Sequence, residues 1–225
     1  MESNYGFLIT QDGSHTLVHP KYLTTFHSHH GAVTESQKVF LEYGYHYLAG
    51  KIPILRIFEF GFGTGLNAWL TAKASIQLGI PTLYTALDET YLTDEIVNSL
   101  NYTDVSSHFG GDRDIFTRIH MSDLAEETVI HPHFKLHKIK SDWHNYYADQ
   151  KFDLIYFDAF APDTQPDLWS LESMIKCAGM LETGGVFVTY CAKGQVKRNL
   201  KAAGFNVKAL PGPPGKREVT RAVKL

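Results

Sequence analysis

Apolar and polar positions change their period several times along the 225 residues, and the changes mark out elements. Ile54 to Phe60 is a short, mostly apolar run rich in strand formers that leads straight into Gly61, Gly63 and Gly65. Such a run predicts a buried strand breaking into a tight turn. Leu66, Trp69 and Leu70 then recur at helical spacing with Ala68, Ala72 and Ala74 between them, predicting a helix. Ahead of this unit, two strand-like pieces at 6–9 and 15–18 flank Gln11-Asp12-Gly13-Ser14, and the Asp-Gly pair predicts a hairpin. Thr34 stands where a cap would start a helix carrying Val39, Phe40, Tyr43 and Tyr47 and stopping at Gly50.

Residues 81–88 read as a second strand ending in Asp88, and 93–131 as mostly helical and polar, looser around His108 to Asp112. The alternation over 134–140 predicts a strand with one solvated face, followed by Ser141-Asp142-Trp143. Residues 152–157 form another apolar strand pattern that delivers Asp158 at its end. Pro162, Asp163, Pro166 and Asp167 keep the chain irregular until helical material begins at Trp169. A strand at 185–190, a helix at 193–203, a strand at 205–210, a Pro/Gly hairpin at 211–215 and a strand at 218–223 complete the pattern. Strands alternating with helices and closed by an antiparallel hairpin predict an α/β sheet of methyltransferase type. The expected layout is a hairpin and helix extension over 1–50, then a Rossmann-like class I S-adenosylmethionine-dependent methyltransferase domain over 51–225.

The glycine turn suggests chemistry because residues without Cβ let a ligand lie against the main chain, where the next helix offers unpaired amides. The dinucleotide fingerprint wants G-x-G-x-x-G/A; here the third glycine comes one position early and Leu66 stands where the last small residue should be. This spacing favours S-adenosylmethionine over NAD, against the plainer reading of a tight strand-to-helix connection. Asp88 lies 23 residues after Gly65, where an acid at a strand end meets ribose hydroxyls. The competing reading of Asp88 with Glu89 is a helix-capping pair. Asp142 is again an acid at a strand end, beside Trp143, an aromatic able to cover a planar base; the competing role is N-capping of a helix through Tyr146 and Tyr147. Asp158 falls in the crevice outside the carboxyl ends of the strands. His27, His29 and His30 invite a metal reading, but neighbouring loop histidines without a placed Cys or carboxylate make a poor site, and none is assigned.

Composition narrows the class. The length and 44% apolar content suit one full core with a small appendage. No uncharged apolar run approaches the roughly 18 residues of a membrane span, and the start lacks the basic-then-apolar order of a signal peptide. Cys177 and Cys191 have neither a close partner nor metal-ligand spacing, so reduced thiols in a cytoplasmic protein are expected. The net charge of −3 is unevenly spread: residues 186–225 hold nine Lys or Arg against Glu218 alone. Such asymmetry hints at a polyanionic partner, with an ordinary solvated basic face as the alternative.

FGFGTGLN together with FDAFAPDTQPDLWS resembles the methyltransferase part of the MnmC-like family of tRNA 5-methylaminomethyl-2-thiouridine biosynthesis. GAVTESQKVF, GGVFVTYCAKGQVKRNLKAAGF and GKREV extend the likeness, in the right order, over most of the chain from about residue 10. The resemblance implies S-adenosylmethionine as donor and the aminomethyl group of a wobble uridine in tRNA as acceptor. By position it implies Glu59, Gly61, Phe62, Gly63, Gly65 and Asn67 around the methionine and ribose, Asp88 on the ribose hydroxyls, and Asp142 with Trp143 at the adenine. It places Asp158 at the transferring methyl and the amine, as the catalytic group. Phe160, Pro162 and Trp169 would wall the uracil, and Lys216 and Arg217 of the GKREV match would meet the tRNA. The family's bifunctional members add an FAD-dependent domain; this sequence carries no second glycine fingerprint, so no FAD, no metal and no obligate protein partner are expected. The rivals are a small-molecule amine methyltransferase or aminopropyltransferase on the same scaffold, and a non-catalytic cofactor- or RNA-binding module.

Overall fold

The computed structural model describes residues 5–105 and 113–225. The looser stretch expected at His108 to Asp112 lies outside the described residues. The hairpin forms as its Asp-Gly turn predicts: β1 (Gly6–Ile9) pairs antiparallel with β2 (His15–Val18). α1 (Ala32–Ser36), a π-helical stretch (Gln37–Tyr45) and α2 (His46–Leu48) follow as one continuous rod, and Gly50 stands just beyond it with φ 76°. Burial along the rod falls on Glu35 and Ser36, then Val39 to Leu41, then Gly44 and Tyr45, then Leu48. That repeat of four to five residues is longer than the 3.6 of an α-helix and is the signature of the wider π turn. Gly44 lets the rod sit close on the sheet, since a Cβ there would stand 3.0 Å from the Tyr156 ring and 3.1 Å from Val188.

Thr34 is not the cap. Gly31 holds that position, and Thr34 instead gives its amide and hydroxyl to Asp12 Oδ2 at 2.9 and 2.8 Å. The other Asp12 oxygen takes the Ser14 amide and the Thr10 and Ser14 hydroxyls. One carboxylate in the hairpin turn therefore ties the hairpin to the start of the rod.

The main sheet has eight strands in the order β5-β6-β4-β3-β7-β8-β10-β9. They are β3 (Leu55–Phe60), β4 (Thr82–Asp88), β5 (Glu127–His131), β6 (Phe134–Lys140), β7 (Phe152–Phe157), β8 (Leu181–Thr189), β9 (Phe205–Pro211) and β10 (Glu218–Lys224). The central five, β6-β4-β3-β7-β8, run parallel, while β5 and the β10-β9 hairpin are antiparallel edges. α3 (Leu66–Leu78) follows the glycine turn; α4 (Asp94–Ser99), α5 (Tyr102–Val105) and α6 (Arg113–Met121) follow β4; α7 (Leu171–Met180) and α8 (Gly194–Ala202) flank β8. Glu127–His131, expected to be helical, is a strand because it finds a partner in β6. Tyr146 and Tyr147 follow a turn rather than a helix: Asp142 takes the His144 amide at 2.7 Å, and the Tyr146 amide bonds the Asp142 carbonyl.

Period-two alternation splits the core. Ile57, Leu154 and Tyr156 face the layer holding α3 and the rod, with Trp69, Phe40 and Tyr45. Phe58, Phe60, Ile155 and Phe157 face the layer holding α7 and α8, with Trp143, Trp169 and Met174. β6 alternates as expected, with Phe134, Leu136 and Lys138 buried and Lys135, His137 and Ile139 half-buried on the other face, but its buried face carries a lysine, whose ammonium reaches the His120 carbonyl at 2.7 Å. The buried start of that strand carries its lysine inward, and burial pushes the Lys138 pKa down to about 8.

Burial alone would raise the Asp12 pKa, but the hydrogen bonds from Ser14, Thr34 and Thr10 outweigh it and hold the carboxyl at about 2. A depressed carboxyl stabilises the fold above its unfolded value near 4, and that contribution is lost as pH falls toward 2. Asp12→Ala is expected to cost on the order of 2 kcal/mol at pH 7, with the difference from wild type shrinking between about pH 4 and 2. Urea denaturation across that range measures both.

Candidate functional site

The strand order reverses between β3 and β7, and a crevice opens there beyond their carboxyl ends. In the structure it is a cavity of about 350 Å³. Its floor is the glycine turn. Gly61, with φ +87°, lies so close to β7 that a Cβ would stand 2.5 Å from the Asp158 carbonyl oxygen. Gly65, with φ +70°, caps α3 and leaves no room for a Cβ against the His120 ring at 2.7 Å. At Gly63, φ is +54° and the Phe26 ring would be 3.0 Å from a Cβ. Two of the three glycines thus serve packing against protein as much as access for a ligand.

Acids gather above this floor. Asp88, at the end of β4, accepts the Gly63 amide at 3.0 Å. The Asn67 amide donates to Glu59 at 3.0 Å and to Asp158 at 2.9 Å, bridging the ends of β3 and β7. Burial raises all three carboxyls: Asp88 to about 6, Asp158 to about 7 with the Glu35 charge adding to the effect, and Glu59 well above its ordinary value. Hydrogen bonds from the Gly63 amide and from Asn67 offset only part of this. Asn67 Oδ1 is buried with no hydrogen-bond partner among the described residues, while Glu59 also faces the buried Tyr84 hydroxyl. Raised acids and an unmet acceptor around a glycine cradle fit a cationic, hydrogen-bonding ligand, and S-adenosylmethionine brings a sulfonium, an ammonium and two ribose hydroxyls.

The N-terminal extension forms the roof. His19, Tyr22 and Phe26 surround Phe160, with ring centroids 5.4, 5.2 and 5.3 Å away. Gln165 fixes that corner by accepting the Phe160 amide at 3.0 Å and donating to the Tyr22 hydroxyl at 3.3 Å. Glu35, Tyr190 and Lys216 line the inner wall. Burial pushes the pKa of His27, another lining residue, down to about 4, so its ring is neutral at physiological pH.

Of the residues singled out in the sequence, Gly61, Phe62, Gly63, Asn67, Asp88, Asp158, Phe160 and Lys216 line the cavity; Glu59 and Gly65 support it from beneath. Asp142, Trp143, Pro162, Trp169 and Arg217 are not among its lining residues. Trp143 cannot cover a base in this conformation: it is 1% exposed, packs edge-on to Phe60 and donates its indole N–H to Ser173. Trp169 is likewise core, and its indole N–H holds the Phe160 carbonyl at 2.8 Å, so it positions the wall without forming it. Arg217 is exposed on the outer surface. Three of the nine basic groups in the C-terminal segment pair with acids of this same chain: Lys193 with Asp163, Lys197 with Glu218 and Lys216 with Glu35. Sequence reading missed Glu35, Tyr190, Tyr22, Phe26 and Gln165. Glu35 and Tyr190 lie inside stretches quoted for the family likeness, but nothing local to either announces a cavity whose wall brings residue 35 together with residues 158, 190 and 216.

A family model of S-adenosyl-L-methionine-dependent methyltransferases matches residues 133–225. Among curated proteins, the tRNA 5-methylaminomethyl-2-thiouridine biosynthesis bifunctional protein MnmC of Chromohalobacter salexigens is 30% identical over 176 residues, covering 72% of this chain and 24% of the relative. The protein of the same name from Pseudoalteromonas atlantica is 29% identical over 189 residues, covering 76% and 26%. The chain spans about a quarter of the length of these curated relatives. Among solved structures, MNMC2 from Aquifex aeolicus superposes with a TM-score of 0.77 at 23% identity, covering 98% of this chain and 70% of that one. Spermidine synthase from Thermotoga maritima gives 0.52 at 11% identity, covering 98% and 71%. Both likenesses concern the fold. Fold, cavity and family model together define the class, an S-adenosylmethionine-dependent methyltransferase of the Rossmann-like type. Within that class the chain is similar to the MnmC-like methyltransferases.

The raised acids predict a pH signature. Below about pH 6 to 7, Asp88 and Asp158 take up protons and the cavity loses negative charge. Affinity for S-adenosylmethionine is expected to fall from pH 8 to pH 5 more steeply than affinity for S-adenosylhomocysteine, which lacks the sulfonium charge. Calorimetric titration of both ligands at several pH values measures the difference; equal slopes would remove the acids from sulfonium recognition.

Proposed function

We propose that the protein transfers a methyl group from S-adenosylmethionine to the amine of 5-aminomethyl-2-thiouridine at the wobble position of tRNA, giving 5-methylaminomethyl-2-thiouridine. The single observation that carries this reading is Asp158, held at the sheet's switch point by Asn67 and lining an aromatic-roofed cavity large enough for a nucleobase. The names of the curated relatives supply the acceptor, and their bifunctionality is theirs; this chain corresponds to about a quarter of each. The cytoplasm, where tRNA is processed, is the compartment this reading gives. No helix among the described residues is long and apolar enough to cross a membrane.

When bound, S-adenosylmethionine supplies an electrophilic methyl, and transfer of that methyl to nitrogen releases one proton. Asn67 and the Gly61 to Gly63 turn would hold the amino-acid and ribose portions, with Glu59 and Gly65 supporting them from beneath, and Asp88 would take the ribose hydroxyls. Asp142, at the end of β6, is retained as the adenine contact by resemblance alone. An alkylamine has a pKa of about 10 and is mostly an ammonium in water, whereas attack needs its lone pair. Asp158 accepts an N–H, aims the lone pair and takes or relays the proton; a carboxyl raised to about 7 is a better base than an ordinary one. Orientation to about 3 Å from the methyl supplies much of the rate. Phe160, backed by Trp169 and flanked by Tyr22 and Phe26, stacks on the uracil, with Pro162 at the rim. Lys216 and Arg217 sit on the segment that meets the anticodon stem-loop, and Arg217, exposed, is the phosphate contact of the two.

The test is nucleoside mass spectrometry of tRNA carrying 5-aminomethyl-2-thiouridine after incubation with protein and S-adenosylmethionine, with carboxymethylaminomethyl tRNA in parallel. Methylation of the first alone is expected. Asp158→Ala should bind S-adenosylmethionine within about tenfold of wild type and lose at least about a hundredfold in methylation. Activity on neither tRNA, with cofactor binding intact, would turn the assignment toward small amines.

A further inference from the structure

The cavity contains a second charged group that the transfer, as described, does not use. Glu35 is 5% exposed on α1. One of its oxygens takes the Ser28 amide at 2.8 Å, and the other is paired with the Lys216 ammonium. That ammonium lies 4.0 Å from the centroid of the Tyr190 ring, and the Tyr190 hydroxyl donates to the Ala159 carbonyl at 2.8 Å. Ala159 follows Asp158 directly, so the Glu35 site and the proposed transfer site share one wall.

A carboxylate beside an aromatic face is a receptor for an alkylammonium: the acid supplies charge-assisted hydrogen bonds and the ring its negative face. What fills the receptor here is the CH2–NH3+ end of a lysine. The aminomethyl substituent of the proposed acceptor ends in the same group. We propose that Glu35 and the face of Tyr190 form the amine subsite for the acceptor, and that Lys216 occupies this subsite until the acceptor's ammonium displaces it. The proposal rests on the aminomethyl reading given above and adds the residues that select for it.

The exchange is isoelectric, which is why it is feasible. Glu35 is buried, and emptying its site would leave a buried carboxylate without its cation, which is strongly unfavourable. Replacing one primary ammonium by another avoids that cost. A neutral unmodified uridine brings no cation to replace Lys216 and is refused. A carboxymethylaminomethyl group brings an added carboxylate to a pocket already lined by Glu35 and Asp158, and is refused by repulsion. Lys216 can leave because its stem is 27% exposed and its loop reaches the surface at Arg217. Once displaced, it is a cation beside the incoming tRNA.

Two measurements test this. The first is an NMR titration of ethylammonium chloride into the protein loaded with S-adenosylhomocysteine. Lys216→Ala should bind ethylammonium at least about tenfold more tightly than wild type, because the internal competitor is gone, and adding Glu35→Gln should abolish the gain. The second is steady-state methylation of aminomethyl tRNA, in which Glu35→Gln, which keeps an oxygen for the Ser28 amide, should raise KM at least about tenfold while kcat falls less than about threefold. Equal ethylammonium binding by wild type and Lys216→Ala, or an unchanged KM in Glu35→Gln, would overturn the subsite. The titration involves no tRNA, so it reports on the subsite even if aminomethyl tRNA proves not to be the acceptor. Methylation by wild type without the ethylammonium gain would overturn the subsite and leave the methylation reading standing.

Discussion

The site depends on one close approach of backbone to backbone. Where β3 ends, Gly61 turns with positive φ against the carbonyl of Asp158 at the end of β7, leaving no space for a side chain. The Gly61 amide bonds the Leu87 carbonyl on one side, and the Asp158 amide bonds the Phe60 carbonyl on the other. Three parallel strands are thereby held in register up to their last residue. The acids at their ends, Glu59, Asp88 and Asp158, are brought into one small volume by main-chain geometry that their own mutual repulsion opposes.

That repulsion is informative. Buried carboxyls with raised pKa values are kept out of water at a cost to stability, and Asn67 satisfies only part of their hydrogen-bonding capacity. A binding cation relieves exactly such an arrangement of charge, and the proposed reaction brings two, a sulfonium and an ammonium. Glu35 and Lys216 repeat the theme on the inner wall, where an acid already has its ammonium. The cavity as a whole is organised to receive positive charge, although the chain is similar to proteins named for tRNA, a polyanion. On the proposed reading the two are compatible, because recognition of the amine and recognition of the phosphates would fall to different surfaces.

Much of the sheet was legible in the sequence because its signals are local. The run from Ile54 into alternating glycines, the acid ending 81–88 and the apolar strand before Asp158 each identify an element and its chemically active end. What was not legible depends on contacts between distant segments. Trp143 and Trp169 read as possible ring contacts but are core, since an aromatic's face is chosen by what packs on it and not by its neighbours in sequence. The π-helical stretch is invisible to a 3.6-residue pattern. Glu35 is an ordinary acid in a helix until the 211–217 loop carries Lys216 onto it. The basic character of the C-terminal segment was visible, yet its meaning changed once several of its lysines were found on acids of this same chain.

The central claim is that the glycine turn and Asp158 form a single unit. Equilibrium binding of S-adenosylmethionine to Gly61→Ala tests it most directly, because the new methyl must push the Asp158 carbonyl away from the turn. A loss of affinity of at least about a hundredfold, in a protein whose far-UV circular dichroism shows the sheet intact, is the predicted result. Binding within about threefold of wild type would contradict the account, since the strand ends would then tolerate separation without harm to the site.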